Sequence, residues 1–247
     1  AIDIIIHNAA QTIRRPGGFY QNLVEQEQHP ERTLSISARK FVAQGAPSTL
    51  AISDSSALLP GVIAGVKDVL PADKLHDNEE LADSRNNNSW NLRMDEVGAQ
   101  EMLEVQLVNS VAPFLLNSRL KPLMTRSPFE RRFIVNVSAM EGQFYRRKTV
   151  FHPHTNMAKA ALNMMTRTSG EDYAKDGIYM NSVDTGWVTE ENPGDRRVHK
   201  QENLGFFPPL DIIDGMARIY HPIAEGINNP ETPLFGKFLK DYGECRW

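Results

Sequence analysis

An α/β fold is predicted for this 247-residue chain by three apolar runs and the helical patterns set between them. Residues 2–6, Ile-Asp-Ile-Ile-Ile, enter a buried-strand pattern at once. Residues 133–137, Phe-Ile-Val-Asn-Val, are crowded with β-branched side chains, as a short buried strand requires. Residues 178–183 form a third such run, and a helical pattern over 155–165 lies between the second and the third. A strand, a loop and a helix in that order place a ligand site at the carboxyl end of the strand and in the loop beyond it.

Taken in order, the strand over 2–6 is followed by His7-Asn8-Ala9-Ala10. Residues 14–93 show no comparable alternation. Short helices are expected over 19–27 and 32–44, an apolar stretch of mixed pattern over 47–71, and a charged, Asn-rich surface segment over 73–91, read as mobile. At roughly 80 residues this stretch is far longer than an ordinary loop. It is treated as an insertion whose role as lid, oligomer contact or spacer stays open. A long helix is expected over 95–124, with Asp95 as N-cap and a kink from Pro113 and Pro122. The strand over 133–137 ends at Ser138. A polar loop with Tyr145, Arg146, Arg147, Lys148, His152 and His154 leads into the 155–165 helix. Its apolar positions are Met157, Ala158, Ala161, Leu162 and Met165. Thr155 and Lys159, four apart, share one face of that helix. Gly177 marks the end of the helical region. After the third strand come a polar-to-apolar segment over 195–207, a helix over 210–224 and a last strand over 235–242.

Composition sets bounds on partners. A net charge of −4 leaves no electrostatic footprint for nucleic acid. No apolar run reaches membrane-spanning length. The single cysteine, Cys245, allows no intrachain disulfide, and a reducing, cytoplasmic setting is expected. His152 and His154 lack the accompanying carboxylates or thiols of a metal site, so no metal is expected. The basic cluster over 146–148 reads first as a solvated face, and second as a site for a phosphate or carboxylate. The chain opens inside a strand pattern with no initiator Met and no signal peptide, which reads as a fragment of a longer protein.

Val135-Asn136-Val137-Ser138-Ala139, then Ala158-Lys159-Ala160-Ala161-Leu162, then the 171–188 stretch ending Asp184-Thr185-Gly186-Trp187-Val188, together resemble the short-chain dehydrogenase/reductase family. The resemblance implies a Rossmann-type, doubly wound, mainly parallel sheet with helices on both faces. The domain would be single and partial over 1–247, its first strands absent, with the insertion at about 14–93. It implies an oxidoreductase moving a hydride between NAD or NADP and a carbonyl or alcohol. Motif by motif, Ser138 matches the serine that orients the substrate oxygen, and Lys159 the lysine that holds the cofactor ribose. Asn109, within Val108-Asn109-Ser110-Val111, matches the asparagine that holds a proton-relay water. Asn8 and Ala9 match two residues of the turn beside the cofactor's adenosine side, where His7 and Ala10 depart from the pattern. Gly186 and Val188 match the loop around nicotinamide, although Thr185 stands in place of its proline. The 195–207 segment fits the family's substrate lid, and the helices that build its oligomer interface are present, so self-association is implied. A glycine-rich pyrophosphate turn between a strand and a helix does not occur in the sequence.

One departure dominates. The family's proton donor is a tyrosine four residues before the lysine, and that position is Thr155. A phenol titrates near pH ~10 and a neighbouring cation can lower it, whereas an aliphatic hydroxyl is too weak an acid for the same rescue. Two readings remain. In one, the chain is an atypical reductase, with Tyr145 or His154 supplying the acid from the loop. In the other, it is a catalytically inactive protein of the same fold, serving as a cofactor-binding or protein-interaction scaffold.

Overall fold

A computed structural model describes residues 1–15, 85–189, 191–193, 199, 202–203, 205, 207–229 and 231–247. The chain divides into two compact units, 1–13 with 87–247, and 14–86. The expected helices and apolar stretch between 19 and 71 lie outside the described residues, as does most of the 195–207 segment.

The first unit is a five-stranded sheet in the order β1 (Ile4–His7), β2 (Arg132–Ser138), β3 (Ile178–Asp184), β4 (Phe238–Lys240), β5 (Gly243–Cys245). The first four strands are parallel and β5 is antiparallel to β4. Instead of the one strand expected over 235–242, the chain turns at Asp241 and Tyr242, both at positive φ, and pairs with itself.

Alternation along β2 and β3 sends side chains to two separate cores. Phe133, Val135 and Val183 pack with Leu239 and with Ile223 of helix α4 (Ile212–Asn228). Ile134, Ile178 and Met180 pack on the opposite face with Met124 of α2 (Ala112–Thr125), and with Tyr173 of α3 (Pro153–Lys175) beside them. Apolar side chains on both faces are what a doubly wound sheet demands, and the architecture is the Rossmann-type α/β arrangement expected. The capping box of Asp211 and Asp214 starts α4.

Three local expectations are corrected. The helix expected from Asp95 begins as α1 (Ala99–Gln106), with Gly98 at its N-cap and no side-chain cap. Its expected kink is a π-helical turn over Leu107–Val111, which leads directly into α2, with Pro113 in the first turn. Pro113 has no N–H to donate back into the preceding turn, and the helical run continues past it. The third correction concerns α3. The apolar stripe does not all face inward: Met157 and Ala161 are exposed, while Thr155, Lys159, Asn163 and Thr166 are buried. Thr166 Oγ receives hydrogen bonds from Asn136 Nδ2 and Ser182 Oγ, both at 2.8 Å. Polar groups on the helix thus meet polar groups on the strands, as buried donors and acceptors require.

Candidate active site

The sheet's carboxyl edge opens into a cavity of about 1140 Å³. Asn8 after β1, Val137 and Ser138 of β2, Asp184 of β3 and Lys240 of β4 all contribute to its wall. The register of β2 against β3 sets Ser138 beside Asp184, so the two polar strand ends meet at the floor of the cavity.

Ser138, Thr155 and Lys159 are brought together there. Ser138 Oγ donates to Asn163 Oδ1 at 2.6 Å, and Lys159 Nζ donates to the Val137 carbonyl at 2.9 Å. One turn of α3 therefore docks on the end of β2 through two side chains. Gly142 makes this docking possible. A Cβ at that position would lie 2.6 Å from the Lys159 carbonyl carbon and 2.6 Å from Asn163 Nδ2. Only a residue without a side chain lets the 3₁₀ turn over Met140–Gly142 approach α3 so closely.

Lys159 is 6% exposed, and burial pushes its pKa down to about 8, with the charges of Glu141 and Asp184 opposing the shift. The Asp184 carboxylate is itself held: Lys240 Nζ donates to Oδ2 at 2.7 Å and the Gly186 N–H donates to Oδ1 at 2.8 Å. Gly186 has φ +79°. Thr155 is buried, and its Oγ1 has no hydrogen-bond partner among the described residues. A buried hydroxyl without a partner is uncommon, and this one lies in the wall of a cavity large enough for a ligand.

Trp90 and Asn91 also line the cavity, from a segment that nothing in its local pattern marks as part of a site. Residues 88–91 are not a mobile surface stretch. Asn88 accepts a hydrogen bond from the Trp90 N–H and donates to the Glu191 carbonyl at 3.0 Å, and Asn88, Ser89 and Asn91 are buried. The Trp90 and His152 rings stack at 3.9 Å with 6° between their planes. His152 Nδ1–H donates to the Trp90 carbonyl at 2.8 Å, and the His152 backbone N–H donates to the Leu92 carbonyl at 2.9 Å. Burial lowers the His152 pKa, the bond to Trp90 opposing it. His152 stands at the N-cap of α3 with φ 42°, a left-handed conformation uncommon outside glycine and held here by these three contacts.

Other expected residues fall elsewhere. Asn109 does not line the cavity. It sits in the π turn, where its Oδ1 accepts from the Gln11 N–H at 2.7 Å and its Nδ2 donates to the Gln11 carbonyl at 2.8 Å. Ala9 is exposed and outside the lining, whereas Asn8, Gly186 and Val188 belong to it. Neither loop candidate for the missing acid lines it either. Tyr145 OH lies 3.3 Å from Cys245 Sγ, and the buried His154 Nε2 lies 3.3 Å from Glu101 Oε1 on α1. His7 is likewise structural: its Nε2–H donates to Asn117 Oδ1 at 2.7 Å. Among the described residues, no group of three His, Cys, Asp or Glu is placed to hold a metal, and no helix is long and apolar enough to cross a membrane. Trp90, Gly142, Asn163 and Lys240 were missed in the sequence. Gly142 alone left a local signal, a glycine just past a strand end.

Residues 85–203 match a family model described as enoyl-(acyl carrier protein) reductase. An uncharacterized protein, R665, of Acanthamoeba polyphaga mimivirus is 28% identical over 99% of this chain and 48% of its own length. The short chain dehydrogenase pgmD of Aspergillus terreus is 28% identical over 49% of this chain and 35% of its own length. The chain thus spans about half or less of the curated relatives it matches. A short-chain dehydrogenase/reductase structure from Burkholderia multivorans with bound NADP superposes with a TM-score of 0.47 at 17% identity, covering 67% of this chain and 64% of that one.

Proposed function

We propose, from the premise that the chain is a member of the short-chain dehydrogenase/reductase family, that it performs NAD(P)-dependent hydride transfer on a carbonyl or alcohol, with Lys159 as the proton source. The observation that carries the reading is the pairing, on one face of α3, of a buried amine titrating near 8 with a buried hydroxyl that has no partner among the described residues. An acid is most useful when its pKa lies near the working pH. Lys159 meets that condition without a phenol. Thr155, four residues earlier, need not release a proton of its own. Its hydroxyl can accept one from the Lys159 ammonium while donating its own to the substrate oxygen.

Ser138 Oγ donates its hydrogen bond to Asn163 Oδ1, which leaves the hydroxyl oxygen as an acceptor for a substrate hydroxyl. Asp184 is neutralised by Lys240, so it does not hold Lys159 charged through an ion pair. Asn109 acts as a positioning residue, fixing the Gln11 backbone after β1. Lys159, Asn8 and the Gly186–Val188 backbone would hold the cofactor, which when bound supplies or accepts the hydride.

The test is reduction of a panel of aldehydes with NADPH and NADH, followed across pH. Turnover is expected to fall above about pH 8 as Lys159 loses its proton, and Thr155→Val is expected to lower kcat by ~10²-fold. Turnover by Thr155→Val equal to that of the unaltered chain would remove the relay. No turnover under any condition would favour the scaffold reading instead.

A further inference from the structure

We infer that the cavity mouth carries an oxyanion subsite centred on Arg147, and that the substrate is a carbonyl or alcohol bearing a carboxylate or phosphate. This rests on the reductase reading for the reaction, but not for the binding.

The inference starts from charge. The chain is net negative at −4. The cavity lining reverses that sign: Arg146, Arg147, Lys148, Lys159 and Lys240 stand against Glu141, Asp184 and Glu191. Four of the five cations are already engaged. Lys240 is paired with Asp184, Lys159 donates to Val137, and Lys148 donates to the Met140 and Glu141 carbonyls at 2.6 and 2.9 Å. Arg146 donates to Tyr145 OH at 3.3 Å. Arg147 alone makes no hydrogen bond or ion pair among the described residues, yet it lines the cavity. The loop presenting it is tied before Arg147 by Gln143 Nε2, which donates to the Arg246 carbonyl at 2.6 Å, and after it by Lys148 on the 3₁₀ turn and by His152 on Trp90 and Leu92. A guanidinium with five unused donors, on an anchored loop at the mouth of a cavity, is suited to a planar or tetrahedral oxyanion. Arg147 is itself exposed, and what distinguishes it from an arginine on a mobile loop is the anchored backbone that presents it at the cavity.

Calorimetric binding to the 247-residue chain tests it with three probes: benzaldehyde, 4-carboxybenzaldehyde and 4-formylphenyl phosphate. The anionic aldehydes should bind more tightly than benzaldehyde, and added salt should shrink the difference. Arg147→Gln should weaken the anionic aldehydes by about tenfold, leave benzaldehyde binding unchanged, and Arg147→Lys should recover part of the loss. Preference between carboxylate and phosphate identifies the natural group. Equal binding of the charged and neutral probes, including no binding of any, would overturn the inference. So would an Arg147→Gln chain that loses NADPH affinity and keeps its anion preference, because the arginine would then serve the cofactor's phosphates. Anion preference through Arg147 in a chain without turnover would leave the subsite standing and remove the reductase reading.

Discussion

Replacing Lys159 by Met should stabilise the fold at neutral pH. The ammonium is buried, and among the described residues it has no carboxylate in ion-pair contact. Its pKa falls from the ordinary 10.5 to about 8, a displacement equivalent to about 3 kcal/mol. Below pH 8 both folded and unfolded chains carry the proton, and the folded state bears that whole cost. Between 8 and 10.5 the folded chain loses the proton while the unfolded chain keeps it, so stability rises with pH across this window. Above 10.5 the cost is gone. Met removes the charge at nearly constant volume but also removes the hydrogen bond to the Val137 carbonyl, worth about 1 kcal/mol. The net expectation is a gain of about 2 kcal/mol at pH 7, or ~4–8 °C in Tm, shrinking to nothing or reversing slightly by pH 10. Urea unfolding of both chains at pH 7, 8, 9 and 10 would measure it. A Lys159→Met chain less stable at pH 7, or a stability difference that does not change with pH, would refute the reading of Lys159 as a buried and unneutralised ammonium. The same substitution should abolish turnover, as expected where function depends on a strained group.

Gly142→Ala should destabilise by about 1–3 kcal/mol, because its Cβ would meet the Lys159 backbone at 2.6–2.7 Å; an unchanged urea midpoint would show that the turn has room to move. Asn109→Ala should lower stability by about 2 kcal/mol, since two hydrogen bonds to the Gln11 backbone are lost together. Amide exchange should report it locally, with faster exchange at the Gln11 N–H, and unchanged exchange there would assign the π turn's order to other contacts.

Much of the fold was legible because strands that are apolar on both faces leave a plain record. Residues 133–137 and 178–183 could hardly be anything else, and Ser138 and Lys159 followed from their places at a strand end and one turn into the next helix. Where the reading failed, long-range contacts had overridden local pattern. Residues 88–91 look like a hydrophilic linker until Trp90 stacks on a histidine 62 positions away. The inner face of α3 could not be found from apolar spacing, because its partners at the strand ends are amides, hydroxyls and a carbonyl. Asn109 was identifiable as a residue type, but its engagement with Gln11 depends on the π turn, which has no sequence mark that periodicity detects. The loop acids are a related case: neither Tyr145 nor His154 lines the cavity, and nearness in sequence to Ser138 and Lys159 says nothing about which way a loop of that length turns.

The polar seam between α3 and the sheet also limits how the cavity can open. An apolar interface can slide, since one methyl group replaces another at little cost. Lys159, Asn163 and Thr166 each have a particular partner at the strand ends. Shifting the helix by one turn, ~5.4 Å, would strand each of them at about 1–3 kcal/mol apiece. The helix that carries Thr155 and Lys159 therefore behaves as a fixed jaw.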